Sequence, residues 1–197
     1  LQVYDVRLFG NAVKLSKGSY VHVHGHITDR VAHLGSPKPI PAAVVDQVRA
    51  VPGVAAAEGT LTGYALMLDK AGKPIQPGGA PTLGAGFQTD AKLASGFSLR
   101  KGRGPTTADE VVVDAATARK SGFAPGDRIG ILFESGGQRQ FTVVGIAGFG
   151  EADNLGGATI ATFQTAAAQD LLGKPGQYDA IDVRGDAGIK PDALRAR

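Results

Sequence analysis

Between Glu110 and Gly150 the chain carries its densest set of agreeing local signals. Val111-Val112-Val113 is short and β-branched, and branching at Cβ crowds a helical turn but suits a buried strand. Asp114 follows, where a carboxylate can accept from the free amides of a short helix over Ala115–Ser121, and Gly122 can close that helix with a positive φ. Pro125-Gly126-Asp127 is turn chemistry, with Pro fixing φ and Gly supplying a conformation other residues avoid. Ile129, Ile131 and Phe133 then alternate with Arg128, Gly130, Leu132 and Glu134. After Ser135-Gly136-Gly137, Phe141, Val143 and Gly145 repeat the period of two. Caps, turns and periodicity agree on a β-rich unit with its own small core.

The flanking sequence is organised differently. Residues 1–19 are weakly patterned: Val3–Phe9 fits either a helix or a strand, and the stretch reads as a peripheral lead-in leaning to helix. From Tyr20 to Ile27, Val21, Val23 and Ile27 share one strand face and His22, His24 and His26 the other. Residues 35–41 read as a loop ending in Pro41, a good first helical residue. Val44, Val45, Val48 and Val51 then recur at helical spacing until Pro52-Gly53. Val54–Leu68 is extended, with a bend near Gly59 or Gly63, and Thr82–Thr89 reads as another strand. Leu93–Gly104 leads into the central block as a basic loop. Beyond the block, Ala158–Ala161 reads as a strand, Thr162 as the cap of a helix over Phe163–Leu172, Gly173 as its stop, and Tyr178–Arg184 as a final strand. Pro191 opens a last helix.

Two strand-helix-strand units thus flank a β-rich middle. The expected fold is α+β, with one layer from residues 1–88 and 152–197 and an inserted β-rich subdomain over 89–151. Both ends of the chain then belong to one layer, as a loop between two membrane helices needs.

Composition excludes several function classes. Of 197 residues, 43 % are hydrophobic and 20 % charged, which is ordinary for a globular chain. There is no Cys, so disulfides and thiolate metal sites are absent. The net charge is +3 but scattered; its densest cluster, Arg100-Lys101-Gly102-Arg103, lacks interleaved aromatics, which argues against nucleic acid. No apolar run reaches the roughly 20 residues that span a bilayer. Starting at Leu1-Gln2-Val3 without Met or signal peptide, the chain is expected to be a piece of a longer protein.

Motifs for chemistry are few. His22, His24 and His26 form the best metal candidate, although successive imidazoles on one strand face lie about 7 Å apart and would share an ion only with local bending. A solvated polar strand face is the favoured reading. Gly84-Ala85-Gly86-Phe87-Gln88-Thr89 lacks the third glycine of a dinucleotide loop and a following helix, and no cofactor is expected. Hydrolase motifs are missing, and Glu110, Asp114, Glu151 and Asp153 have no sequence reason to converge; no enzyme is expected.

A resemblance gives these features a setting. Ala43-Val44-Val45-Asp46-Gln47-Val48-Arg49-Ala50-Val51-Pro52-Gly53-Val54 resembles a helix, Pro-Gly, strand signature of FtsX/MacB-like ABC transporter permeases, in their extracytoplasmic MacB-type periplasmic core domain. The likeness continues through Leu99–Arg103, Asp109–Val113, Ala118 and Gly122, Gly126-Asp127 and Phe141–Ile146. It resumes at Ala166–Gly173 and Tyr178–Val183, covering roughly residues 38–197. The resemblance implies a porter-like character for the layer built from both chain ends, and a non-catalytic domain on the extracytoplasmic side of the cell membrane. It also implies partners: a cytoplasmic ABC ATPase subunit reached through the parent permease, a second permease copy or paralogue, and an exported substrate or extracytoplasmic protein. The alternative expectation is a secreted metal- or ligand-binding protein using His22, His24 and His26.

Overall fold

A computed structural model describes residues 6–8, 11–15, 19–20, 31–94, 97–134 and 136–187. In chain order the described elements begin with β1 (Val6–Leu8), β2 (Asn11–Leu15), β3 (Ser19–Tyr20), β4 (Val31–Pro41), α1 (Ala43–Arg49) and β5 (Val54–Thr60). They continue with β6 (Thr62–Met67), β7 (Thr82–Gly86), β8 (Phe97–Gly102), β9 (Glu110–Asp114), α2 (Ala115–Ser121), β10 (Arg128–Phe133) and β11 (Gly137–Phe149). The series ends with β12 (Thr159–Phe163), α3 (Thr165–Leu171) and β13 (Gln177–Gly185). The class is mixed and strand-rich, as expected, and the chain divides into two compact units, residues 1–61 with 176–197 and residues 62–175.

In the first unit, β4 and β5 flank β13, which runs antiparallel to both. β4 and β5 are therefore parallel to each other, joined by α1, with a strand from the far end of the chain between them. This is a split β-α-β arrangement. α1 lays Val44, Val45 and Val48 against Ile40, Ala57, Ile181 and Val183. Tyr178 joins that cluster because a register shift between Tyr178 and Ala180 re-aims it. Its ring lies over Gly59: a Cβ there would stand 2.4 Å from the ring carbons.

Several expectations change in this unit. The lead-in contains the antiparallel strands β1, β2 and β3 rather than a helix. Residues 35–41, expected as a loop, lie within β4; Pro39 and Pro41 are tolerated because β4 is an edge strand, whose ladder uses one side only.

The second unit is built on a seven-stranded sheet in the order β10-β6-β7-β12-β9-β11-β8. β10 also pairs with β11, from Arg128 opposite Thr142 to Phe133 opposite Gly137, so six strands close into a ring and β8 remains outside. β11, 13 residues long, makes this possible: its first half holds β10, its second half β8 along the same edge, and β9 runs parallel on the other edge. Phe133, Phe141 and Phe163 meet with centroids 5.0–5.9 Å apart. They come from β10, β11 and β12, and β12 neighbours neither of the other two, so these contacts cross the inside of the ring. The alternation of Ile129, Ile131 and Phe133 read from the sequence supplies that core, and all three are buried.

The central block behaves locally as its residues dictate. Val111, Val112 and Val113 are fully buried in β9; Asp114 caps α2, accepting from the Thr117 amide at 2.8 Å; Gly122 ends the helix at φ 69°. The expected boundaries at 88/89 and 151/152 do not hold, however. β7 and β12, assigned to the flanking layer, are parallel neighbours, and β12 pairs with β9, so all three are one sheet. The second strand-helix-strand unit is correspondingly divided: β12 belongs to the ring and β13 to the first unit's sheet. Thr162 does not cap α3; it lies in β12 with its hydroxyl on the Val112 carbonyl, and Gln164 holds the cap position. The basic stretch before the block is mostly strand β8, with Phe97 opposite Phe149 and Gly102 opposite Gly145. Its alternation of Phe97 and Leu99 with Ser98 and Arg100 was the available signal.

Candidate functional site

β9 joins the two polar clusters of the second unit. At its start, Glu110 collects donors: Arg103 binds it in a fork, with Nη1 at 2.8 Å from Oε2, and the Thr106 amide lies at 2.7 Å. The Thr106 hydroxyl and the Thr107 amide reach the same carboxylate. The Arg103 hydrogen bonds, then the backbone amides, hold Glu110 well below the usual carboxylate range. Arg100 donates to the Gly150 carbonyl, and Arg119 pairs with Asp153, which lowers that carboxyl too. The basic cluster around β8 is thus largely engaged in fixing loops.

At the end of β9, Asp114 is 2 % exposed. One oxygen accepts from Thr117 and the other from the Ile160 amide at 2.9 Å, which ties β9, α2 and β12 together. Burial pushes its carboxyl up, against the opposing pull of those hydrogen bonds. Beside it, Thr159 donates to the Thr82 hydroxyl, which donates to the Ala65 carbonyl. Thr117 and Thr159 floor a cleft of about 250 Å³, with Gln76, Lys120 and Asn154 at its sides. Among the described residues, Lys120 is the only titratable one lining it.

Of the four carboxylates singled out in the sequence, Glu110 and Asp114 sit at opposite ends of one strand, and Asp153 is ion-paired with Arg119. Among the described residues no group of three or more His, Cys, Asp or Glu could hold a metal ion. His22, His24 and His26 lie outside the described residues.

What remains is surface. Among the described residues three large hydrophobic side chains are exposed: Tyr64 at 44 %, Leu99 at 41 % and Leu155 at 59 %. Leu99 stands on β8, whose residues after Phe97 are all exposed. Phe97 links Phe87 and Phe149 in an edge-on ladder with centroids 5.7 and 5.5 Å apart. Gly102 anchors the strand's end: its φ is +74°, and a Cβ would fall 2.1 Å from the Val144 carbonyl oxygen.

A split β-α-β sheet in one unit and a ring of strands in the other define a strand-rich α+β domain. The chain belongs to the MacB-like periplasmic core domain family, whose model matches residues 6–197. Its fold is similar to the periplasmic region of MacB from Actinobacillus actinomycetemcomitans, with TM-score 0.63 over 86 % of this chain and 80 % of that one, at 12 % identity. It is also similar to the extracellular domain of the noncanonic ABC-type transporter YknZ from Gram-positive bacteria. There the TM-score is 0.58 over 81 % of this chain and 80 % of that one, again at 12 % identity. No curated protein matches by sequence. Among the described residues, no helix is long and apolar enough to cross a membrane.

Proposed function

We propose that this chain is the non-catalytic extracytoplasmic domain of an ABC transporter permease, coupling the cycle of a cytoplasmic ATPase to export or to an extracytoplasmic partner. The observation that carries this reading is the pairing of β4 with β13. Val31 lies opposite Arg184, so the strand that opens the split β-α-β layer and the strand that closes it are hydrogen-bonded neighbours. A domain strung between two membrane segments needs that geometry. The first unit is then the porter-like layer that moves with the membrane helices, and the second unit, residues 62–175, is the part that meets substrate or partner. The family membership and the fully engaged carboxylates support a role in binding and motion rather than bond chemistry.

The test uses the absence of cysteine. Lys101→Cys, as the single cysteine of the parent permease, is expected to react with a membrane-impermeant maleimide on intact cells, and the parent is expected to co-purify with an ATP-hydrolysing subunit. Labelling only after permeabilisation, or a purified parent without an ATPase, would overturn the reading.

A further inference from the structure

The free side of β8 stands out once every cluster with an internal explanation is set aside. β8 pairs with β11 along one edge, and among the described residues no backbone hydrogen bond reaches the other edge. An unpaired strand edge is a template for another strand, and natural proteins disfavour such edges unless they are shortened, charged or covered. β8 is guarded against like-charged strands by Arg100 and Lys101, and a register shift against β11 falls at Arg100, but it is neither short nor loose. It has six residues, its first residue is clamped in the Phe87–Phe97–Phe149 ladder, and its last is pinned under the Val144 carbonyl. Arg103 continues the clamp through its amide to Val144 and its side chain to Glu110.

The side chains decide what can pair there. Leu99 offers one apolar contact in mid-strand, and Lys101 is an exposed cation two residues on. Arg100 adds a second cation, its guanidinium held on the Gly150 carbonyl, which leaves its charge in place. β8 itself carries two cations, Arg100 and Lys101, and no carboxylate, whereas Arg103 and Arg119 beside it are paired with Glu110 and Asp153. Two copies of β8 laid side by side would bring cations against cations, which is destabilising. An extended segment carrying carboxylates meets the opposite condition.

We propose that the free edge of β8 is a strand-addition site for an extended acidic segment of an extracytoplasmic protein. Main-chain hydrogen bonds along residues 97–101 supply the attachment, Leu99 the apolar anchor, and Lys101 with Arg100 the charge selection. This deepens the reading of the second unit as the partner-contacting part and rests on that reading for the identity of the compartment; the pairing itself needs no transport cycle.

The experiment is a selection on the purified 197-residue chain, so it is independent of the labelling test above. Three display libraries of random peptides about eight residues long would differ only in their central positions, which are acidic, basic or neutral. The acidic library is expected to enrich, and its best peptide to slow amide hydrogen exchange in Phe97–Gly102. Lys101→Glu and Leu99→Asp, both at exposed positions, should each weaken that peptide by about tenfold or more with the melting temperature unchanged. Lys101→Gln supplies a milder variant should either of these fail to fold. Equal enrichment of the basic or neutral library would overturn the proposal, as would protection elsewhere than β8 or a concentration-dependent dimer formed through β8.

Discussion

The two units solve the same problem in opposite ways. The second unit closes its sheet, so six strands have no free edge within the ring and the interior is filled by side chains from opposite walls. The first unit leaves its sheet open, covers one face with a seven-residue helix, and tolerates its edges with Pro39 and Pro41 in β4 and a run of alanines in β5. Closure concentrates stability in a few large residues. An open sheet spreads it over small ones, and depends on one close approach, where the Tyr178 ring covers Gly59.

The sharpest way to break this contrast is Phe163→Ala. Its ring contacts both Phe133 and Phe141 with no exposure, so the second unit should lose about 3–5 kcal/mol. Peptide-resolved hydrogen exchange should show β10 and β12 opening while β5 and β13 keep their protection. Equal loss in both units would mean that they unfold as one.

Gly59→Ala tests the other side. Its Cβ would enter the Tyr178 ring, an overpacking that costs about 1–3 kcal/mol. Exchange should rise in β5 and β13 alone, and adding Tyr178→Ala should recover part of the loss.

Within the ring, the two ends of β9 titrate in opposite senses. Glu110 has its folded value lowered from 4.5, so its stabilisation is present above that value and is lost as pH falls through the folded one. Asp114 has its folded value raised from 3.8, so its contribution is full below that value and declines as pH rises through the folded one. Urea midpoints between pH 6 and pH 3, in order-of-magnitude steps of proton activity, should fall less steeply with acid in Glu110→Gln than in the parent. They should fall more steeply in Asp114→Asn. An unchanged slope in both would show that neither end of β9 is coupled to folding.

Smaller effects bound the comparison. Asp46→Ala removes an exposed pair with Arg49 on α1 and should change stability by no more than about 0.5 kcal/mol. For His22, His24 and His26 the expected effect is none: calorimetry with zinc, nickel or copper should give no heat. Binding near stoichiometry would make the first unit a metal site and revive the alternative reading.

How much of this was legible depended on the range of the interaction. Asp114, Gly122 and the alternating run from Ile129 to Phe133 act through neighbours in sequence, and their roles could be read directly. The ring could not, because it rests on pairings such as Thr82 with Thr159 and Thr142 with Glu110 that no local pattern encodes. The prolines of β4 misled for a related reason: whether Pro interrupts a strand depends on which side of it is paired. Leu99 was hidden in a charged run, where its exposure is fixed only by the register of β8 on β11.

The antiparallel meeting of β4 and β13 also determines how the first unit answers to mechanical load. Val31 and Arg184 lie at one end of the paired strands, and Pro41 and Gln177 at the other. Tension applied across Val31 and Arg184 therefore loads that pair first and peels β4 from β13 like a zipper, instead of shearing all their bonds at once.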